Sequence, residues 1–228
     1  QWLARRKRLD ITPTESKIID DNPQVIIAGF GRFGQILGRL LLANGYRSTI
    51  LDHEPEQIES LKRFGFKIYF GDATRHDLLE QAGAARAQIL INAIDNVTES
   101  LKLVDTVNLH FPHLKIYARA RNLQHSYSLM ERGVEFFERE TFEASLKLGV
   151  EVLKGLGWNA HPAVQATHRF REHNLQSVKD LYKTRKNQTE LIAAARQSRE
   201  DLQRMFEQEA IVRNRPDSGW DHPVPPSR

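Results

Sequence analysis

Six residues near the start of the chain, Gly29-Phe30-Gly31-Arg32-Phe33-Gly34, have the spacing of a loop that holds phosphate. The first glycine permits a tight turn, the second lets backbone approach a phosphate, and the third lets a helix pack closely on a strand. Such a loop works only between a strand and a helix. Here QVIIAG leads into it and QILGRLLLANG leads out. Helix N-terminal amides and the helix dipole would then hold the anion. Asp52 closes the next apolar run, 18 residues past Gly34, with His53 beside it. A carboxylate there accepts both ribose hydroxyls and repels a 2′-phosphate, which favours AMP, ATP or NAD(H) over NADP. A glycine turn that binds nothing is the alternative reading of the same loop.

Two more strand ends carry short polar residues, Gly71-Asp72-Ala73-Thr74 and Asp95-Asn96. They lie where an adenine edge and the switch point of a nucleotide-binding sheet would fall. Capping of the following helices by Asp72 or Thr74, and by the Asp95-Asn96 pair, is an equal alternative.

Nothing beyond binding is written as clearly. A dehydrogenase needs a substrate domain and an acid–base group over the nicotinamide, yet the chain after the sixth strand is largely helical and charged. The nine histidines are scattered, and His161, His168 and His173 do not have metal-ligand spacing. With no cysteine there is no thiolate nucleophile, thiolate metal site or disulfide framework. No nucleophile elbow and no P-loop occur.

The positioning elements follow from periodicity. Gln24–Gly29, Ser48–Leu51, Lys67–Phe70, Gln88–Ala93, Lys115–Ala118 and Val134–Phe137 read as short strands separated by helical patterns. Continuous apolar runs of this kind belong to parallel strands covered on both faces. The expected fold class is α/β: a Rossmann-type, doubly wound, parallel six-stranded sheet in the order 3-2-1-4-5-6, then a crossover helix and a helical C-terminal extension. The crossover helix is expected over Thr141–Leu156. Phe142, Leu146, Val150 and Leu153 line one side of it, and Leu148, Val152 and Leu156 the other. A helix apolar on two sides sits between two bodies, which predicts a homodimer. Val164–Glu209 reads as charged docking helices, and the Pro-rich stretch from Arg213 as disordered.

Composition narrows the rest. The chain has 228 residues, 40% of them apolar, and a net charge of +4, enough for one real core with a polar periphery. No apolar run approaches the ~20 residues that span a bilayer. The basic run Arg5-Arg6-Lys7-Arg8 is followed by Asp10, Glu15, Asp20 and Asp21, without interleaved aromatics, so no nucleic-acid partner is expected. It suits equally the cytoplasmic flank of a membrane helix and a solvated linker. The expected divisions are a linker over 1–22, the nucleotide-binding domain over 23–140, the crossover helix over 141–157, the helical extension over 158–212 and the tail over 213–228.

Taken together, Gly29 to Gly34, Asp52, Gly71 to Thr74 and Ala118-Arg119-Ala120 resemble the RCK/KTN regulatory domain of potassium channels and transporters. The wording GFGRFGQ, LDHE, GDATRHDLLEQAGA and FERETFEASLKLG is similar to the glutathione-gated potassium-efflux (Kef) members of that family, over roughly residues 23–155. The resemblance implies AMP or NAD(H) in the crevice, held by Gly29, Phe30, Gly31, Arg32, Phe33, Gly34, Asp52, His53, Asp72, Ala73, Thr74, Asp95 and Arg119. It also implies a homodimer, a membrane antiporter domain joined through residues 1–22, and a place on the cytoplasmic face of the inner membrane. A flavodoxin-like quinone reductase, KefF, would dock as ancillary subunit. Glutathione would hold the system closed and its adducts with electrophiles would open it. Arg39, Arg139 and Asn174 match the family's glutathione residues best, with Phe64 a candidate to feel the adduct's bulky group. Guanidinium groups suit a ligand with two carboxylates, though Arg39 and Arg139 are equally readable as surface ion-pair partners. Two other classes stay open on the residues alone: an NAD-dependent oxidoreductase and a nucleic-acid-binding redox repressor.

Overall fold

A computed structural model describes residues 24–54, 66–184 and 188–213; the linker, Phe64 and the stretch from 214 onward lie outside the described residues. The chain divides into two compact units, Gln1–Arg119 with Val134–Phe136, and Ala120–Gly133 with Phe137–Arg228.

Six strands form one sheet: β1 (Val25–Ala28), β2 (Ser48–Asp52), β3 (Lys67–Phe70), β4 (Ile89–Asn92), β5 (Lys115–Ala120) and β6 (Phe136–Arg139). Their order is β3-β2-β1-β4-β5-β6, with parallel pairing, as the apolar runs require. Every residue of β1 and β2 is buried, with no alternation, because the central strands have no wet face. Ile27 lies in register between Ile50 and Ile91 at the centre of the core.

The first unit also holds α1 (Arg32–Ala43), α2 (His76–Gln81) and α3 (Val97–His110). Helix α1 turns Phe33, Leu37 and Leu41 onto the core, while Ile36, Arg39 and Leu40 face outward, the one-sided stripe of a surface helix.

The second unit holds α4 (Leu123–Glu131), α5 (Phe142–Gly155), α6 (Ala160–Thr184) and α7 (Gln188–Arg213). Helix α5 packs on α6, and α6 on α7. Arg171 of α6 grips Glu143 of α5 through two hydrogen bonds of 2.8 and 2.7 Å. Ser177 and Ser198 meet at 2.7 Å between α6 and α7. On α5, Leu146, Val150 and Leu153 are half-buried, whereas Leu148, Val152 and Leu156 are exposed. The two apolar lines read from the sequence are therefore present, one covered within the unit and one open.

Lys67–Phe70 has the expected bounds; β1, β2 and β4 differ from the sequence reading by one residue at an end, and β5 and β6 by two. β5 runs past Ala118 through Arg119, which is buried and ion-paired. β6 lies two residues later than expected, because Gly133 turns with φ 76 and Val134, though buried, stays outside the ladder.

The turn from β1 into α1 depends on missing side chains. Gly29 has φ 86, and a Cβ on Gly34 would lie 2.2 Å from the Gly29 carbonyl oxygen. Gly34→Ala must therefore separate α1 from β1, since backbone cannot step aside as a flexible side chain can. We expect a loss of about 3 kcal/mol or more, the upper range for overpacked cores, in urea unfolding of the purified chain. A stability within 1 kcal/mol of native would show that the contact is not fixed.

Candidate functional site

Five strand ends build a cleft at the carboxyl edge of the sheet, where the strand order reverses between β1 and β4. This is the position at which doubly wound sheets bind ligands. The cleft has a volume of about 340 Å³. Gly29 and Gly31 form one wall, Asp52, His53 and Glu54 follow β2, Asp72 and Ala73 follow β3, Ile94 to Asn96 follow β4, and Arg119 reaches in from β5.

Asp52 organises the loop. It is buried, its Oδ2 accepts the Phe30 amide at 2.5 Å, and its Oδ1 accepts the Glu54 amide at 2.9 Å. One carboxylate thus ties the end of β2 to the glycine loop. The Phe30 side chain points away from the cleft, fully buried and edge-on to Phe66 at 5.2 Å between ring centres. What Phe30 offers the cleft is its backbone.

Asp72 serves the β3 end differently. Its Oδ1 accepts both the amide and the hydroxyl of Thr74, at 2.8 and 2.7 Å. Burial pushes the Asp72 carboxyl up, but the Thr74 hydrogen bonds and the nearby Lys102 and Arg75 cations outweigh it and hold it below its ordinary value. The helix-capping alternative does not apply here: Arg75 stands at the cap of α2, and no side chain caps it. It does apply to Asn96, whose Oδ1 accepts the Glu99 amide at the start of α3.

Arg119 is 5% exposed. It donates to Asp95 at 2.6 Å and to the Ala93 carbonyl at 3.3 Å, and its guanidinium lies 5.8 Å from the centre of the Phe33 ring. Of the expected nucleotide set, the fold brings Gly29, Gly31, Asp52, His53, Asp72, Ala73, Asp95 and Arg119 to one cleft. Phe30, Arg32, Phe33, Gly34 and Thr74 are not in its lining; Phe30 and Thr74 act on Asp52 and Asp72 instead. Glu54 and Glu99 line the cleft without having been singled out in the sequence, since a charged residue just past a strand end or in a first helical turn is an ordinary surface pattern.

In the second unit, Arg139 and Asn174 meet although 35 positions separate them. The Arg139 guanidinium donates to Asn174 Oδ1 at 2.5 Å and stacks over Phe142 at 3.8 Å. Burial draws Arg139 below its ordinary value, against the support of Glu138, Tyr127 and Glu143. Burial and the charge of Glu143 push the neighbouring Glu138 up, with Arg139 and Arg171 in partial opposition. Arg39 is exposed on α1, in the first unit, and Phe64 lies outside the described residues. Among the described residues no cluster of three or more His, Cys, Asp or Glu could hold a metal, and no helix is long and apolar enough to cross a membrane.

A glycine loop pinned to a β2 carboxylate, above a cleft at the switch point, defines a nucleotide-binding Rossmann domain of the RCK class. Residues 25–137 match the TrkA-N domain, and residues 144–219 match the potassium efflux system KefB C-terminal domain. A solved Kef C-terminal domain from Shewanella denitrificans, in AMP-bound form, is 46% identical with a TM-score of 0.65, over 70% of this chain and 97% of that one. The chain belongs to the family of Kef C-terminal domains. The glutathione-regulated potassium-efflux system protein KefC of Escherichia coli is 50% identical over 184 residues, 78% of this chain and 30% of the relative. This chain therefore spans about 30% of the length of the curated relatives it matches. The TrkA-N domain of the Escherichia coli inner membrane protein ybaL, 24% identical with a TM-score of 0.55 over 59% of this chain and 99% of that one, shares the fold.

Asp52→Ala strands the buried Phe30 amide and is expected to cost about 1–3 kcal/mol, the desolvation of one orphaned donor. Asp52→Asn keeps one acceptor oxygen and should cost less. Equal losses in denaturant unfolding would remove the hydrogen bond to Phe30 as the reason for the carboxylate's burial.

Proposed function

We propose that the chain is the ligand-sensing regulatory domain of a glutathione-regulated potassium-efflux system and not an enzyme. An adenine nucleotide, AMP or NAD(H), occupies the cleft over the glycine loop, with its ribose hydroxyls on Asp52. Glutathione and its adducts bind through Arg139 and Asn174, with Arg39 and Phe64 as the further candidates. The domain acts from the cytoplasmic face of the inner membrane, joined through residues 1–22 to an antiporter domain. It dimerises through α5, with the quinone reductase KefF as ancillary partner.

The observation that carries this reading is the meeting of Arg139 and Asn174. The two residues lie 35 positions apart in the chain, and the fold brings them within hydrogen-bond reach. A guanidinium stacked on an aromatic ring is aimed and rigid, as recognition of a carboxylate requires. The Kef relationship and the AMP-bound relative support the nucleotide half of the proposal. Gating would follow from differential binding, since a ligand shifts a two-state system only by its difference in affinity for the two states. A bulky adduct that displaces a packed side chain supplies such a difference.

Calorimetric titration of the AMP-saturated chain tests the ligand assignment. Glutathione and a bulky S-substituted glutathione should both bind saturably. Arg139→Ala should weaken each by about 2 kcal/mol or more, roughly 30-fold, as expected when a partly desolvated charged partner is lost. Undiminished binding to the variant would move the site elsewhere, and no binding to native protein would end the glutathione reading.

The dimer has its own measurement. Leu148, Val152 and Leu156 expose an apolar line on α5, so Val152→Glu should convert a dimer to a monomer in light scattering while leaving the far-UV spectrum intact. A native chain that is monomeric at micromolar concentration would refute this arrangement.

A further inference from the structure

The second unit contains a polar group that its own fold leaves over. Tyr127 of α4 is 8% exposed, and its hydroxyl, shut off from solvent, has no hydrogen-bond partner among the described residues. Buried tyrosines usually find one, because a buried hydroxyl without a partner has given up its bonds to water for nothing. Such a group in a folded chain calls for a reason, and one reason is a partner that arrives from outside.

The surroundings indicate what that partner is. Asn174, Val178 and Tyr182 follow one another at intervals of four on α6 and so share one face of it. At one end of this line Asn174 accepts from Arg139. Val178 is buried in the middle, and at the other end the Tyr182 ring centre lies 5.9 Å from that of Tyr127. The α4 tyrosine therefore packs on the same line of α6 that supplies the partner of Arg139. Burial pushes the Tyr127 hydroxyl up, with the Arg139 charge in partial opposition, so near neutral pH it keeps its proton and is a donor. An O–H donor and a guanidinium in one neighbourhood suit an acceptor with two oxygens, a carboxylate. In the free chain Arg139 donates to a neutral amide oxygen, and a carboxylate is the stronger acceptor for it.

We propose that the Tyr127 hydroxyl is a further binding group of the Arg139–Asn174 region, donating to the carboxylate of a ligand that has displaced Asn174 from Arg139. The inference rests on the glutathione reading above and adds a residue to it. The hydroxyl is closed off in the free chain, so a ligand gains it only by opening the pair. The free chain bears the cost of an unfilled donor and the bound chain does not, and that difference adds to affinity.

Tyr127→Phe removes the oxygen and keeps a ring against Tyr182. In calorimetric titration of the full 228-residue chain, glutathione should bind the variant about tenfold more weakly, the order for one hydrogen bond to a charged group. In urea unfolding without ligand, the midpoint of the variant should equal or exceed that of native protein, because an unsatisfied hydroxyl has been removed. A tyrosine needed only for packing would lower the midpoint and the affinity together. Glutathione affinity within threefold of native would overturn the proposal and leave the ligand reading at Arg139 intact. A lower unfolding midpoint would also overturn it, since the hydroxyl would then be satisfied in the free chain. Failure of the native chain to bind glutathione would remove the ligand reading itself, and this proposal with it.

Discussion

The contact between Gly34 and the Gly29 carbonyl sets the distance between the first helix and the first strand, and much else in the nucleotide-binding unit inherits that distance. With no Cβ at position 34, α1 settles directly on the end of β1, and its amides face the switch point at close range. With φ 86 at Gly29, the chain leaves the strand in a direction that buries Phe30 beneath the loop and turns its amide toward β2. Asp52 then closes the arrangement from the neighbouring strand. The order of causes matters here. The glycines make the geometry sterically available, the Phe30 ring anchors it in the core, and the carboxylate satisfies a donor that would otherwise be buried and orphaned. The loop is thus held at three points by three kinds of force.

That shape has an electrostatic counterpart. Asp52 accepts two backbone amides, whereas Asp72 accepts the amide and hydroxyl of Thr74 and has the Lys102 and Arg75 cations nearby, which together hold its carboxyl below its ordinary value. Arg119 neutralises Asp95 from inside the sheet, so its charge supports the wall more than the space in front of it. In the second unit the pattern is mixed: Glu138, Arg139, Glu143 and Arg171 interleave charges of both signs around one stacked guanidinium.

The strand order and the glycine–carboxylate pair were readable in the sequence because each is a local pattern with one physical solution. An unbroken run such as VIIA cannot be a surface strand, and G-x-G-x-x-G between a strand and a helix has few other uses. The loop aromatics were harder. Phe30 and Phe33 sit inside the motif, but sequence spacing does not show which way a side chain points, and both turn to the core. Arg119 was readable as a site residue at the end of the fifth strand, whereas its burial was not, because an arginine in a strand is buried only when a partner such as Asp95 awaits it. Glu54 and Glu99 gave no local signal; they become cleft residues only when strand ends distant in sequence converge. The meeting of Arg139 with Asn174 was beyond periodicity altogether, since it depends on how α6 folds back along α5.

In both candidate regions a recognition group is already engaged within the protein. The Phe30 amide is given to Asp52, and the Arg139 guanidinium to Asn174 and the Phe142 ring. Each bond ties two elements together: Phe30 to Asp52 joins the glycine loop to β2, and Arg139 to Asn174 joins β6 to α6. Any ligand that drew on either group would exchange an internal hydrogen bond for an external one, so its binding free energy would be a difference between two similar terms.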